Sequence, residues 1–501
     1  MKPTLQKNGL QYTILLLCCI PLFFLNVHNS HSCGGDDYAQ YIKEAKNISE
    51  GKPFYVTNYV FNKANNIYAP PQYPPGFPLL IAPVVKVWGI AIEPLCYFNC
   101  VLGVLLMLGF FTYFRKHMGV FASVCLSIII SYSGTLIYQK QYVLSDVPNM
   151  FFILMYLIAR SSKTFPWPRI VLLILLATMA MLIRTQSVVL IAAEAAYLLL
   201  TVLRDWRQQR VFPSKLLSTT PSLYIVAGSV LLLVFLNKVF FYCPTSAPGF
   251  YADFVKQALQ RGVFATFKEN IGFLFDATRS FFHYDTLGGI PALSVKIMEY
   301  TGLILSIAGF IYTASRRLCF DDVFFVCSCG LMLVYSVHDA RFFLPVLAIV
   351  YLYSYNALKF ALRLIPKIRL QYVAVPITVI CLLSGYQYMR ASTCTPLGFV
   401  PEAADYQAFS YLSQHVSDTD LILCPGPRLL TLYTNRRCMI FAWQLSPEDN
   451  KKVCDSMHVK YVLTMKGIAG DFFHAYLQVA HPTDSVNIAD GYMLYTVKRP
   501  S

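Results

Sequence analysis

The sequence has 501 residues, of which 56% are apolar and 13% charged, and its mean hydropathy is +0.51. A soluble domain has about 45–50% apolar and about 25% charged residues, so this composition excludes an ordinary globular enzyme and a disordered chain. It predicts an α-helical protein that crosses a membrane many times. The net charge of +15 would suggest nucleic-acid binding in a soluble protein. In a membrane protein, the charge first raises the question of which side the cations occupy.

A membrane-spanning helix needs about 20 mostly apolar residues. One further apolar segment, 78–92, contains two prolines and Lys86, so it suits an interfacial or re-entrant helix better than a span. The predicted spans number eleven and lie at 10–27, 95–114, 119–137, 144–160, 169–184, 187–203, 222–242, 301–314, 323–338, 341–358 and 371–389.

The positions of the basic residues indicate the orientation. The first apolar segment follows Lys2 and Lys7 and resembles a secretory signal, but no small-x-small cleavage site follows it, so we expect an uncleaved signal anchor. With the N-terminus in the cytoplasm, the short basic loops fall on the cytoplasmic side, which is the positive-inside pattern. We therefore predict a cytoplasmic N-terminus, an extracytoplasmic C-terminal tail and no nucleic-acid partner. The basic loops lie at 115–116, 160–169, 204–215, 316–317 and 359–369.

The predicted spans divide the chain into a membrane domain, 1–391, and a C-terminal tail, 392–501, of soluble composition. Two long loops of the membrane domain, 28–94 and 243–300, lie on the same outer side as the tail. In the tail, apolar β-rich runs alternate with helical patterns, which favours a small layered α/β domain. The predicted strands are 421–424, 437–441, 459–464 and 492–497, and the predicted helices are 402–415, 427–433, 446–457 and 471–478.

Two adjacent carboxylates, Asp36 and Asp37, follow the first span and precede a helix-like stretch, 38–50. An aspartate in this place is a common helix N-cap. One aspartate suffices for a cap, however, and a carboxylate at the membrane surface serves as a general base where burial or its neighbour raises its pKa. The residues alone leave both interpretations open.

Asp146 lies at the outer start of the fourth predicted span, after Ser145 and shortly before Pro148. Proline suits the first turn of a helix, and Ser145 or Asp146 would then be its cap. Lys140 is near in the chain and is a candidate ion-pair partner for Asp146. A capping role and a role in a functional site are both compatible with the sequence.

Two arginines on the outer side depart from the positive-inside pattern. Arg184 lies in a tight turn between two spans, where it either anchors lipid head groups or binds a substrate phosphate through its paired N–H donors. Arg341 follows His338 and Asp339 in another short outer turn. Asp339 and Arg341 are able to neutralise each other, but a histidine and an arginine at the level of Arg184 also predict a ring of cations.

These features together resemble the C superfamily of glycosyltransferases, and within it the bacterial relatives of protein O-mannosyltransferases and of the lipid A aminoarabinose transferase. In that group an acidic pair follows the first span in the motif D-[DE]-x-x-x-Y-x-x-x-A-x-x-[LI]-x-x-G, which residues 36–51 match in full. The Asp-Asp pair differs from the Asp-Glu pair that is common in the family. The other matching segments are Y-P-P-G-F-P at 73–78, S-D-V-P at 145–148, Arg184 at the end of the fifth span and R-F-F-L-P at 341–345.

The resemblance implies an inverting glycosyltransferase that moves a sugar from a polyprenyl-phosphate donor to an acceptor hydroxyl on the outer face of the membrane. By resemblance, Asp36 is the catalytic base, Asp37 is its partner, and Asp146 orients the acceptor or the base. The candidate ligands of the donor phosphate are Arg184, Arg341, Lys140 and His338, and the candidate substrate-loop residues are Tyr41, Tyr73 and Pro75.

The resemblance also implies a lipid, glycan or protein acceptor and a location in the cell inner membrane. It demands no cofactor, although a divalent metal near the acidic pair is compatible with it. A lipid-linked glycan polymerase or ligase stays open as an alternative, but it would lack an acidic pair directly after the first span. A transporter or flippase also stays open. Transporters place ionisable groups near the membrane midplane, and of the charges singled out here only Glu194 lies deep in a span.

Overall fold

The computed structural model of the protein describes residues 9–25, 37–65, 72–162, 164, 166–209, 221–242, 256, 260–284, 292–335, 339–365, 370–394, 403–465 and 470–497. Up to residue 394 these residues are mainly helical. The helices are α1 (Gly9–Phe24), α2 (Asp37–Ser49), α3 (Gly76–Trp88), α4 (Ile92–Phe114), α5 (Val120–Ser131), α6 (Gly134–Lys140), α7 (Asp146–Arg160), α8 (Trp167–Ile183), α9 (Val189–Gln209), α10 (Pro221–Val239), α11 (Val263–Ser280), α12 (Ala292–Arg316), α13 (Phe320–Val334), α14 (Leu347–Arg363) and α15 (Leu370–Cys394). Short 3-10 helices, Thr185–Val188 and Ala340–Val346, precede α9 and α14.

The lengths of the helices agree with a protein that crosses a membrane many times. Among the described residues, six helices are long and apolar enough to span a membrane, and a seventh span results if α5 and α6, which meet at a bend of 57°, count as one. The remaining predicted spans coincide with α1, α7, α8 and α13, which have 16, 15, 17 and 15 residues. With 15 residues, α7 and α13 are each about 22 Å long, which is shorter than the hydrocarbon core of a bilayer, about 30 Å. The segment predicted as interfacial contains α3, a short apolar helix.

The described residues after 403 form the predicted α/β domain. Its elements are α16 (Ala403–His415), β1 (Leu421–Leu423), α17 (Pro427–Thr434), β2 (Arg437–Met439), α18 (Pro447–Ser456), β3 (Val459–Met465), α19 (Gly470–Ala480), β4 (Asp484–Ala489) and β5 (Tyr492–Thr496). The sheet order is β2-β1-β3-β5-β4. Strand β1 runs parallel to β2 and β3, whereas β5 is antiparallel to β3 and β4. The sheet is therefore mixed, and four of its strands and all of its helices were predicted.

The segment predicted as the first outer loop, 28–94, adds to this sheet. The Val60 N–H donates to the Cys438 carbonyl at 2.8 Å, and the Cys438 N–H donates to the Asn58 carbonyl at 3.1 Å. Tyr59 thereby pairs in parallel with Cys438 at the outer edge of β2. The loop thus supplies a short extended segment that covers this edge of the sheet, which would otherwise expose unpaired backbone groups.

The chain divides into two compact units. The membrane unit holds residues 9–25 and the described residues from 96 to 394. The second unit, called the outer unit after the side of the membrane predicted for it, holds the described residues of 37–95 and 403–497. The first outer loop, which we predicted within the membrane domain, therefore packs with the C-terminal tail. In the membrane unit, Glu194 is buried and accepts a hydrogen bond from Arg160 Nε at 2.7 Å, so the one deep carboxylate among the predicted charges ties two helices together.

Candidate functional site

Asp37 is the first residue of α2 and forms a buried ion pair with Arg428 of α17, both in the outer unit. Arg428 Nη1 lies 2.5 Å from Asp37 Oδ1, and the side chains of Arg428 and Asp37 are 0% and 13% exposed. Removing one partner of a buried ion pair costs about 3–5 kcal/mol, because the other charge stays buried and unpaired. Asp37 therefore contributes to the stability of the outer unit. Asp36, its predicted companion, lies outside the described residues.

Two tyrosine rings complete the surroundings of the Arg428 guanidinium. Its central carbon lies 5.1 Å from the centroid of the Tyr59 ring and 5.2 Å from that of Tyr73, distances typical of cation–π contacts. Arg428 Nη1 also donates to the Tyr73 hydroxyl at 3.1 Å, and this hydroxyl hydrogen bonds with Asp37. Arg428 was not predicted as a site residue, because its only local signal is a lone cation in the first turn of a predicted helix.

Of the predicted substrate-loop residues, Tyr41 lies in α2, and Tyr73 and Pro75 lie in the proline-rich segment that packs against α2. The Tyr41 and Tyr73 rings are stacked with their centroids 4.3 Å apart, and the Tyr41 ring meets Phe77 edge-on at 5.0 Å. Pro75 is the N-cap residue of α3. The proline-rich segment therefore packs its aromatic side chains against α2, and Tyr73 contacts both α2 and Arg428.

Glu44 lies one further turn along the same face of α2 and was not predicted as a site residue. Its Oε1 accepts hydrogen bonds from the Tyr73 N–H at 2.9 Å and from Gln40 Nε2 at 3.0 Å. Its Oε2 is buried without a hydrogen-bond partner among the described residues. Burial raises the pKa of Glu44 to about 8, because a low-dielectric environment disfavours the charged carboxylate. Glu44 is therefore mostly neutral at pH 7.

In the membrane unit, the Arg184 side chain contacts Ser145 and Asp146 of the S-D-V-P segment. Arg184 Nη1 lies 2.5 Å from Asp146 Oδ1 and 3.3 Å from Ser145 Oγ. Asp146 is the first residue of α7, and Ser145 before it makes no side-chain capping bond. Asp146 thus pairs with Arg184, not with the Lys140 that was the candidate partner, and Ser145 does not cap the helix through its side chain.

Phe342 lies beside both of the arginines that were predicted on the outer side. The guanidinium carbon of Arg184 lies 4.9 Å from the centroid of the Phe342 ring, and that of Arg341 lies 5.6 Å from it. Arg341 Nε also pairs with Asp339 Oδ2 at 2.7 Å, as the local alternative predicted. Two arginine side chains therefore flank the Phe342 side chain, whereas His338, the third predicted cation of this group, lies outside the described residues.

Lys140 has structural partners at the end of the first helix. Its ammonium donates to the Leu22 carbonyl at 2.7 Å and to the Leu25 carbonyl at 3.0 Å, and the side chain is buried. Both carbonyls lie at the C-terminal end of α1, where the helix dipole makes a cation favourable. These contacts give Lys140 a structural role at the end of α1. Among the described residues, no group of three or more His, Cys, Asp or Glu side chains could hold a metal ion.

An apolar cavity of about 450 Å³ lies in the membrane unit. It is bounded by α5, α12, α14 and α15, and by the residues that follow α11. Its walls are almost entirely hydrocarbon, so it suits an acyl or isoprenoid chain rather than a polar ligand. Residues on its walls include Leu126, Phe282, Leu305, Tyr351, Leu358 and Ile377.

No protein-family model and no curated protein matches the sequence. Solved structures of membrane proteins do match the fold. ArnT from Cupriavidus metallidurans bound to undecaprenyl phosphate gives a TM-score of 0.55 at 11% identity, and the match covers 98% of each chain. The archaeal oligosaccharyltransferase AglB from Archaeoglobus fulgidus, in complex with an inhibitory peptide and a dolichol-phosphate, gives a TM-score of 0.56 at 14% identity. That match covers 91% of this chain and 69% of AglB.

A second structure of the Archaeoglobus fulgidus oligosaccharyltransferase, tethered to an acceptor peptide that contains the NVT sequon, gives a TM-score of 0.57 at 14% identity. This match covers 99% of the present chain and 75% of the other. At these identities the likeness establishes a shared fold. It extends over nearly the whole chain, including the outer unit.

Proposed function

We propose, from the premise that the chain has the fold of the C superfamily of membrane glycosyltransferases, that the protein transfers a sugar from a polyprenyl-phosphate carrier to an acceptor hydroxyl. The observation that carries this proposal is the match over 98% of both chains to ArnT bound to undecaprenyl phosphate. The acceptor is a lipid, a glycan or a protein. The reaction takes place on the outer face of the inner membrane, where nucleotide sugars are absent and a lipid carrier presents its sugar.

The membrane unit supports a phosphate-bearing lipid as the donor. Arg184 and Arg341 flank Phe342, and a guanidinium offers paired donors that match phosphate geometry. Asp146 fixes the orientation of Arg184 through their ion pair. The apolar cavity in the same unit offers room for a hydrocarbon chain. The arginines stabilise the charge that grows on the departing phosphate, which is often the largest catalytic contribution.

In the proposed reaction the acidic pair supplies the base. Asp36 takes the proton from the acceptor hydroxyl as that oxygen attacks the anomeric carbon. The bond from this carbon to the phosphate oxygen breaks, and polyprenyl phosphate leaves from the opposite face with the bonding electrons. The configuration at the anomeric carbon is therefore inverted.

The proposed orientation has a cytoplasmic N-terminus, eleven spans and an extracytoplasmic C-terminal domain. It is supported by the positive-inside distribution of the basic loops. In this orientation the acidic pair, Arg184 and Arg341 all lie on the side of the membrane at which a lipid-linked sugar is presented.

The proposal is tested by turnover with purified protein in nanodiscs. Polyprenyl-phosphate sugars with a labelled sugar are supplied with lipid, glycan and peptide acceptors, and both the labelled acceptor and the free polyprenyl phosphate are measured. Equal amounts of the two products are expected. A parallel assay in liposomes measures movement of the intact donor between leaflets. Movement without transfer would indicate a flippase and contradict the proposal.

A further inference from the structure

We propose that α3 lies along the surface of the lipid bilayer, with one apolar face in contact with the lipid chains and the opposite face packed against α2. The exposed face of α3 is then a membrane-docking surface of the outer unit, and its partner is the hydrocarbon of one lipid leaflet. This inference goes beyond the proposed sugar transfer and does not depend on it.

One face of α3 is covered by protein. The side chains of Phe77, Ile81 and Val85 are buried, and the Phe77 ring meets the ring of Tyr41 in α2 edge-on with the centroids 5.0 Å apart. Residues that are four apart in the sequence lie on the same side of a helix. This side therefore attaches α3 to α2 within the outer unit.

The opposite face of α3 is apolar and exposed. The Leu79 and Val87 side chains are 39% and 69% exposed. Pro83 is also exposed, and Leu80 and Val84 beside these residues are half-buried. The five residues follow the spacing i, i+1, i+4, i+5 and i+8, so they form one continuous stripe along the helix. A contiguous apolar surface of this kind is typical of an interaction site.

The position of α3 in the chain identifies the bilayer as the partner. Helix α4 (Ile92–Phe114) is long and apolar enough to span a membrane, and three residues separate its start from Trp88 at the end of α3. Because the chain extends by at most about 3.6 Å per residue, Trp88 lies within about 14 Å of Ile92. The last turn of α3 is therefore close to the membrane surface, where lipid is available to cover the stripe.

The side chains at the end of α3 fit a lipid interface. Lys86 and Trp88 are both exposed. Tryptophan is enriched where head groups meet hydrocarbon, and a lysine at the edge of an apolar stripe extends its ammonium to the head groups. Since the stripe runs along most of the helix and α2 covers the other side, α3 lies flat on the bilayer rather than entering it end-on.

Spin labels on the full chain in nanodiscs test this inference. Leu79→Cys and Val87→Cys are labelled one at a time with a nitroxide, and labelled wild-type protein supplies the background of the native cysteines. Oxygen concentrates in hydrocarbon, whereas the polar complex Ni-EDDA stays in water, so the two collision rates report the depth of the label. The apolar face of an interfacial helix is buried by about 5–10 Å, so both labels should lie at this depth and collide mainly with oxygen.

The control is Lys452→Cys, because Lys452 lies on α18 with a side chain that is 78% exposed. Its label should collide mainly with Ni-EDDA. Should Leu79→Cys or Val87→Cys fail to fold, Pro83→Cys on the same stripe takes its place.

Three results would overturn the inference. Ni-EDDA collisions at positions 79 and 87 that are as frequent as at position 452 would place the stripe in water. Low collision rates with both reagents, together with magnetic coupling between labels on two protomers, would show that a second copy of the chain covers it. A deep label at one position and a shallow label at the other would show that α3 enters the bilayer end-on. The collision rates require no turnover, so a failure of the proposed sugar transfer leaves this test unaffected.

Discussion

The side chains of Asp146 and Phe342 contact Arg184 in the membrane unit. It is held by Asp146 in an ion pair of 2.5 Å, and it lies over Phe342 together with Arg341. A carboxylate that orients a guanidinium does not prevent phosphate binding, since arginine carries five N–H donors. The ion pair is therefore a way to hold the guanidinium in place before the donor arrives.

We expect Arg184→Lys to lower kcat for sugar transfer by about 100-fold, because a lysine keeps the charge beside Asp146 but loses the paired donors for phosphate. Native mass spectrometry should also show weaker binding of polyprenyl phosphate. The matched control is Arg317→Lys, which alters an exposed arginine of the same unit. Equal activity of Arg184→Lys and wild-type protein would exclude Arg184 as a phosphate ligand.

Glu44 gives the protein a predictable dependence of stability on pH. An unperturbed glutamate releases its proton near pH 4.5, whereas burial raises the pKa of Glu44 in the folded protein to about 8. Between these values the unfolded state binds fewer protons than the folded state, so the free energy of unfolding falls as pH rises. The contribution is complete below about pH 4.5 and is lost as pH rises through about 8.

The change that tests this is Glu44→Gln, which keeps an oxygen acceptor for the Tyr73 N–H but does not titrate. We expect its thermal midpoint to decline less than that of wild-type protein between pH 5 and pH 8. Glu448→Gln, at an exposed position, should follow the wild-type curve. Parallel curves for Glu44→Gln and wild-type protein would show that Glu44 does not titrate in this range.

At the scale of secondary-structure elements, those helices and strands were predictable that a local pattern of residues determines. Four strands and the four helices of the tail were predicted because apolar β-rich runs alternate with helical patterns along this part of the sequence. Strand β4, Asp484–Ala489, was missed because it lies at the sheet edge with mostly exposed polar residues. The segment at Tyr59 and the pairing of Arg428 with Asp37 were also missed. Their partners lie hundreds of residues away, and no local pattern encodes such contacts.

Because residues 37–95 pack with the C-terminal tail, the stability of the tail should depend on their presence. We expect a fragment of residues 403–497 alone to unfold at lower temperature than one in which residues 37–95 are joined to it. The isolated tail lacks Asp37 beside the buried Arg428 and leaves the β2 edge uncovered. Circular dichroism during heating measures the difference. An isolated tail that melts cooperatively at the same temperature would contradict the interdependence.

At the scale of the whole molecule, the fold is shared with ArnT over 98% of both chains although only 11% of residues are identical. Packing of apolar helices tolerates many substitutions, so a fold persists where sequence similarity has faded.

The proposed orientation makes a separate prediction. Alkaline phosphatase, which is active only outside the cytoplasm, should be active when fused after Ser501 and inactive when fused after Lys163. The reverse pattern would invert the proposed topology.

The central claim is that an acid after the first helix drives direct displacement of polyprenyl phosphate by an acceptor hydroxyl. The most direct measurement is the anomeric configuration of the product, determined by NMR for wild-type protein, together with the turnover of Asp36→Asn. Inverted configuration and loss of transfer by Asp36→Asn are the predicted results. Retained configuration, or undiminished transfer by Asp36→Asn, would contradict the claim.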